Sequence, residues 1–220
     1  MTPKVYFISG LGADHRLFIK QIEAGIPLTV IPWKIPYLNE SLTSYVNRMA
    51  EEIPVSKEPV ILGGVSFGGI IAVELSKVVK AEKIILVSSI KTSEELPVHI
   101  RLWKYFPMYK LLPGTLFKKA GYWARMVFGT MNKEESAIFS RMVSDANPVF
   151  IKWAIHQVVN WENKVYPSNT VHIHGTRDLI FPFLKLKPPV IPVQKGTHIM
   201  IITSADEVNM ILKKECKDSL

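Results

Sequence analysis

The sequence predicts an α/β protein with a mostly parallel sheet and helices on both of its faces. Short β-branched, apolar runs alternate with segments of helical periodicity, which is the pattern of such a sheet. The length of 220 residues suits one domain with a modest insertion. With 48% hydrophobic residues, the chain can bury a full core without disulfides.

Six runs predict strands and four segments predict helices of the sheet domain. The strands are expected at residues 5–8, 29–33, 59–62, 83–89, 170–174 and 190–193, and the helices at about 17–24, 41–53, 69–79 and 205–217. Pro32 predicts that the second strand lies at a sheet edge, because proline cannot donate to a ladder. Ser41 is the expected cap of the second helix.

The alternation stops between residues 92 and 163. This segment shows helical periodicity broken by prolines and glycines, contains no convincing strand and is dense in aromatic residues. We predict a helical cap over 92–163, inserted into a core made of residues 1–91 and 164–220.

A glycine-rich turn follows the third predicted strand, in the run Gly64-Val65-Ser66-Phe67-Gly68. A serine in such a strand-to-helix turn presents its hydroxyl above the sheet, where the helix dipole favours developing negative charge. The glycines let the flanking backbone pass close to the turn. We predict Ser66 as a nucleophile; the alternative is a tight turn with an incidental serine.

A serine hydroxyl reacts well only when a base accepts its proton and a carboxylate orients that base. His198 follows the last predicted strand, and Asp178 follows the strand at 170–174 after a short turn. Both therefore lie beyond carboxyl ends of strands, where open parallel sheets place their sites. We predict His198 as the base and Asp178 as its partner; the alternatives are a loop histidine and a turn-forming aspartate.

Two backbone N–H groups are expected to stabilise the oxyanion of the reaction. One belongs to Phe67, directly after the nucleophile, and the other to Leu11 in the glycine-rich turn after the first strand. That turn could instead bind a nucleotide, but it lacks the third glycine of a dinucleotide fingerprint. The predicted chemistry needs no cofactor and no metal.

These motifs resemble those of the α/β-hydrolase superfamily, in segments 7–12, 64–69, 174–178 and 196–198. The chain order Ser66, Asp178, His198 is also the order of that family. The resemblance covers nearly everything outside the predicted cap. It implies a serine hydrolase whose core is trimmed at the N-terminus, because the chain begins almost on the strand that bears the oxyanion loop. Ser9 stands where many relatives have a histidine.

Several other residues are candidates for binding. We list His15, His156 and Trp123 as expected substrate contacts; a surface or packing role is the alternative for each. His172 and His174 lie two apart on a strand and so point to one face. Their spacing would suit a metal, but no third ligand is evident, and we expect them to pack in the core or behind the site.

The formal net charge is +8, with lysine and arginine scattered along the chain and without a nucleic-acid motif. We therefore expect no nucleic-acid partner, and leave open a weak contact with a membrane surface. The single cysteine, Cys216, cannot form an internal disulfide, and no apolar stretch could span a bilayer, so we expect a cytoplasmic location. The sequence leaves the oligomeric state open.

Together these features predict a serine hydrolase that cleaves a small or medium apolar carboxylic ester, thioester or amide through an acyl-Ser66 intermediate. The aromatic cap would roof an apolar cleft over the serine. Acyl transfer and carbon–carbon bond hydrolysis by the same residues remain open. A non-catalytic ligand-binding protein of the same fold is the alternative from a different class.

Overall fold

The computed structural model describes residues 3–107, 109 and 128–217. Six strands form one sheet in the order β2-β1-β3-β4-β5-β6, and every neighbouring pair is parallel. The strands are β1 (Lys4–Ile8), β2 (Leu28–Ile31), β3 (Val60–Val65), β4 (Lys83–Val87), β5 (Thr170–Gly175) and β6 (Ile191–Val193). The prediction of a parallel α/β sheet is therefore confirmed.

Helices connect the strands. They are α1 (Ile19–Glu23), α2 (Leu42–Ala50), α3 (Phe67–Leu75), α4 (Val98–Leu102), α5 (Lys133–Asp145), α6 (Pro148–Asn160), α7 (Met200–Thr203) and α8 (Ala205–Lys217). Short 3₁₀ turns lie at His15–Phe18, Ser93–Glu95 and Phe183–Lys185. No helix of the described segments is both long and apolar enough to cross a bilayer.

Each face of the sheet carries its own buried core, as expected for a parallel sheet covered on both sides. On β1, Tyr6 and Ile8 pack with the residues of α2 and α3, while Val5 and Phe7 pack on the opposite face with those of α7 and α8. This alternation follows from the two-residue period of a strand. Both faces of the sheet are therefore covered, and a ligand-binding site can form at the ends of the strands.

Most elements begin or end within a few residues of the predicted bounds, and two of the differences bear on the site. β3 continues through Gly63 and Gly64 to Val65, whereas the prediction ended at residue 62; the ladder to β4 holds the glycines in strand geometry. β2 ends at Ile31, directly before Pro32, and lies at the edge of the sheet as predicted.

Between β4 and β5, the described residues form helices and no strand. α5 begins with a capping box between Asn132 and Glu135, and α6 begins at Pro148 behind the side-chain cap of Asn147. Residues 108 and 110–127 lie outside the described part of the chain. The division into a core and a cap over 92–163 stays a prediction.

Candidate active site

The turn between β3 and α3 holds Ser66 in a backbone conformation that is rare outside glycine, with φ of 55° and ψ of −120°. Such a conformation costs about 1–3 kcal/mol and persists only where its surroundings enforce it. Here close backbone packing does so. A Cβ on Gly64 would lie 2.1 Å from the carbonyl oxygen of Gly68, and one on Gly68 would lie 2.3 Å from that of Ile8. The turn therefore needs both glycines.

The turn aims the serine hydroxyl at an imidazole. Ser66 Oγ lies 2.8 Å from His198 Nε2, and His198 Nδ1 lies 2.7 Å from Asp178 Oδ2. A carboxylate only accepts, so Nδ1 carries the proton and Nε2 is left to accept the hydroxyl proton of Ser66. The structure thus brings together the three residues predicted from the sequence, with the tautomer that a general base requires.

Asp178 is completely buried, and its charge is compensated by hydrogen bonds. Its Oδ1 accepts the backbone N–H of Ile180 at 2.8 Å and that of Phe181 at 2.9 Å. Burial alone would raise the pKa of Asp178, but the electrostatic interaction with His198 and hydrogen bonds from His174 and His198 outweigh it and hold the pKa well below its usual range. Asp178 is therefore an anion at neutral pH.

The two residues predicted to supply oxyanion donors, Phe67 and Leu11, both line the cavity at Ser66. Their N–H groups donate to no acceptor among the residues that the structure describes. Gly10 brings the loop after β1 close to the serine, since a Cβ there would lie 3.5 Å from Ser66 Cβ. Both predicted donors are thus adjacent to the nucleophile and available to a ligand oxygen.

The loop that carries Leu11 is closed by hydrogen bonds of its own. The buried hydroxyl of Ser9 donates to the carbonyl oxygen of Ala13 at 2.8 Å, and the N–H of Ala13 donates to the carbonyl oxygen of Gly10 at 3.1 Å. These two contacts fold residues 9–13 into a turn. The conformation of this loop is therefore fixed by hydrogen bonds within the loop itself.

A cavity of about 210 Å³ opens in front of Ser66. Its described lining is apolar apart from Ser66 and His198, and it comes from α6, from the loops after β1, β5 and β6, and from the region of α4. The aliphatic and aromatic members include Ile100, Phe128, Phe139, Ile155, Val158, Val159, Ile180 and Phe181. The site therefore combines an apolar binding space with the hydrogen-bonded series Ser66, His198 and Asp178, which we call the relay.

Two of the residues predicted to contact substrate, His15 and His156, line other depressions of the surface. His15 is exposed and lines a separate depression of about 430 Å³ together with Asp14 and Asp145. His156 borders a surface groove on the outer side of α6, where its Nδ1 lies 2.8 Å from the hydroxyl of Tyr109. Neither histidine belongs to the described lining of the Ser66 cavity. Trp123 lies outside the described residues.

Solved structures of known proteins have the same architecture. A hydrolase from Oleispira antarctica superposes with a TM-score of 0.74 at 15% identity, covering 99% of this chain and 92% of its own. An esterase from Exiguobacterium antarcticum gives 0.70 at 15% identity, covering 99% and 93%. ClbQ of the colibactin NRPS/PKS pathway gives 0.64 at 13% identity, covering 100% and 98%. No family model and no curated protein matches the sequence.

The chain has the α/β-hydrolase fold. Within this fold, Ser66, Asp178 and His198 follow the carboxyl ends of β3, β5 and β6, and the loop that carries Leu11 follows that of β1. Open parallel sheets bind ligands at this edge. Among the described residues, no three histidine, cysteine, aspartate or glutamate side chains cluster as metal ligands.

Sequence reasoning missed the residues that complete the site around the relay. Phe181 donates its N–H to Asp178 and stacks edge-on against His198 at 5.5 Å between ring centroids. Its position three residues after a turn aspartate could have predicted this contact, since such carboxylates accept hydrogen bonds from nearby backbone N–H groups. Ile155, Val158 and Val159 gave no motif, because apolar residues on a helix read as ordinary packing.

Proposed function

We propose that this protein is a serine hydrolase that cleaves carboxylic esters with small or medium apolar acyl groups, or the related thioesters or amides. One observation carries the proposal: Ser66, His198 and Asp178 form a continuous hydrogen-bonded relay at the mouth of an apolar cavity. The names of the structural neighbours, which include esterases and a hydrolase, support an ester-cleaving chemistry.

Acylation of Ser66 is the first step of the proposed reaction. As Oγ attacks the acyl carbon, its proton passes to Nε2 of His198, and Asp178 stabilises the imidazolium that results. The carbonyl oxygen becomes an anion and takes hydrogen bonds from the N–H groups of Phe67 and Leu11, each worth about 10²–10³ in rate. His198 then gives its proton to the departing alkoxide, thiolate or amine, which leaves an acyl-serine ester.

Hydrolysis of the acyl enzyme repeats these steps with water. His198 takes a proton from water, whose oxygen attacks the acyl carbon while the same two amides hold the oxyanion. Collapse of the intermediate returns the proton to Ser66 Oγ and releases the acid. Substrate and water are the only reactants besides the groups of this chain.

The cavity sets the proposed substrate class. At about 210 Å³ it is smaller than the roughly 300–1,000 Å³ typical of pockets for drug-sized ligands, and the lining that the structure describes contains no lysine, arginine, aspartate or glutamate. A short or medium apolar acyl chain fits both properties. A charged acyl group would lose its hydration without gaining a partner.

The test is hydrolysis of p-nitrophenyl esters of increasing acyl length by the wild type, Ser66→Ala and Ser88→Ala. Ser88 is the matched control, because it is also buried, directly follows the neighbouring strand β4 and has positive φ. We expect turnover by the wild type and Ser88→Ala, with a maximum at short or medium chains, and none by Ser66→Ala. Equal turnover by all three proteins would refute the proposal.

A further inference from the structure

A second imidazole contacts the carboxylate of Asp178. His174 Nε2 lies 3.1 Å from Asp178 Oδ2, the same oxygen that accepts from His198 Nδ1. It also lies 2.8 Å from the carbonyl oxygen of Phe181. His174 is fully buried at the end of β5, four residues before the aspartate. The oxygen that orients the base is therefore held from two sides.

The contacts continue behind His174 and return to the nucleophile. His174 Nδ1 lies 3.3 Å from His172 Nε2, which lies 3.0 Å from the carbonyl oxygen of Ser89. The hydroxyl of Ser89 donates to the carbonyl oxygen of Ser66 at 2.7 Å. A closed circuit of polar contacts thus begins at the backbone of Ser66 and ends at the Ser66 hydroxyl. Its members, in order, are Ser89, His172, His174, Asp178 and His198.

Only one arrangement of protons satisfies this circuit. Asp178 and the carbonyl of Phe181 only accept, so His174 carries its proton on Nε2. The carbonyl of Ser89 also only accepts, so His172 carries its proton on Nε2 and points it toward the bare Nδ1 of His174. A proton on that Nδ1 would face the N–H of His172. The circuit therefore keeps His174 neutral, as a hydrogen-bond donor without a positive charge.

We propose that His174 is a positioning residue of the active site, which locks Asp178 Oδ2 toward His198 while adding no charge of its own, and that His172 sets its tautomer. A neutral donor spreads part of the carboxylate charge but leaves Asp178 the only ion opposite the imidazolium of His198. The expected effect on turnover rests on the proposed function, whereas the hydrogen bonds are independent of it.

The surrounding ionisable groups support a neutral pair of histidines. Burial, reinforced by His174 and by Lys91 from the segment after β4, lowers the pKa of His172 to about 3. The ammonium of Lys91 is turned to the carbonyl oxygens of Lys187 and Pro189. The only anion in contact with His174 among the described residues is Asp178.

The test compares His174→Phe, which keeps a planar ring but removes the donor, with His174→Gln, whose amide N–H can replace it. Ile173→Val is the control for disturbance of β5, because Ile173 is buried on the opposite face of the same strand. Each protein is assayed for ester hydrolysis across pH, and for the low-field ¹H NMR resonance of the His198–Asp178 hydrogen bond, assigned by its loss in His198→Ala.

We expect His174→Phe to lower kcat about tenfold with KM within about twofold, the effect of losing one hydrogen bond to a charged group. Asp178 then attracts the proton of His198 more strongly, so the acid limb of the kcat/KM profile should move up by about half a pH unit. His174→Gln should restore both, and Ile173→Val should change neither.

Equal losses in the Phe and Gln variants, or an unmoved acid limb in His174→Phe, would overturn the proposal and leave His174 as packing. The NMR arm separates this from failure of the proposed function. If the wild type cleaves no ester, the resonance should still shift in His174→Phe and return toward its wild-type position in His174→Gln. An unchanged resonance in His174→Phe would refute the positioning role by itself.

Discussion

The carboxyl end of β5 and the helices between β4 and β5 face the same cavity, but they are built in opposite ways. Around Asp178 the described hydrogen bonds are buried and directional, and both carboxylate oxygens accept them. Along α6 the cavity is lined by Ile155, Val158 and Val159, which have no polar atoms in their side chains. The region around Asp178 thus fixes the position of a charge, whereas α6 limits only the size and shape of the cavity.

This difference implies two kinds of sensitivity. The position and charge of a buried ion depend on each of its hydrogen-bond partners, because leaving a buried charge unpaired costs free energy. An apolar wall tolerates exchange of one aliphatic residue for another and responds mainly to volume. We therefore expect substitutions near Asp178 to change the rate of reaction, and substitutions on α6 to change which substrate reacts.

The largest expected effect comes from Asp178→Asn. The amide keeps the size of the carboxylate but donates toward His198, which favours the tautomer with its proton on Nε2 and removes the base. We expect kcat to fall about 10⁴-fold with KM little changed. Steady-state kinetics on a short p-nitrophenyl ester measures this, and a circular dichroism spectrum like that of the wild type shows that the fold is kept. A loss below about tenfold would mean that Asp178 does not orient the base.

The second prediction concerns the apolar wall. Val158→Phe adds volume to a residue that lines the cavity, so longer acyl chains should lose room while acetate keeps it. We expect kcat/KM for the longest acyl chain accepted by the wild type to fall about 10- to 200-fold relative to acetate. Val149→Phe, at an exposed position of the same helix, is the control. If both variants keep the wild-type chain-length profile, α6 does not shape the binding space.

The third prediction is a stability effect of the polar region. The pKa of His172 lies at about 3 in the folded protein, below its ordinary value near 6.5. Between about pH 6.5 and 3 the unfolded chain therefore binds a proton that the folded chain does not. The free energy of unfolding should fall with decreasing pH by at most about 1.4 kcal/mol per unit from this group.

His172→Gln should remove that contribution, while its amide N–H can still donate to the carbonyl of Ser89. Urea unfolding at pH 7, 6, 5 and 4 measures the slope in each protein. The exposed His99→Gln is the control, because its imidazole meets solvent in both states. Parallel slopes for the wild type and His172→Gln would show that His172 is protonated in the folded protein.

The same contrast explains what the sequence could predict. The sheet, the turn at Ser66 and the positions of Asp178 and His198 follow from local rules, because strand periods, glycines and strand ends are visible along the chain. The circuit through His174 arises only when β4, β5 and the loop after β6 meet, so no local pattern encodes it.

Binding residues were the least predictable part. His15 and His156 are polar residues predicted to lie near the site, but the polarity of a residue does not show which cavity its side chain lines. The apolar residues that line the cavity look like any buried helix face. Their role depends on the distance between α6 and the sheet, which is a tertiary property.

The most direct test of the central claim is covalent labelling of the nucleophile. The protein is incubated with a fluorophosphonate, digested, and the adduct located by peptide mass spectrometry, with Ser66→Ala and Ser88→Ala in parallel. We expect one adduct, on Ser66, formed by the wild type and Ser88→Ala and absent from Ser66→Ala. A folded wild-type protein that stays unlabelled, or an adduct on another serine, would contradict it.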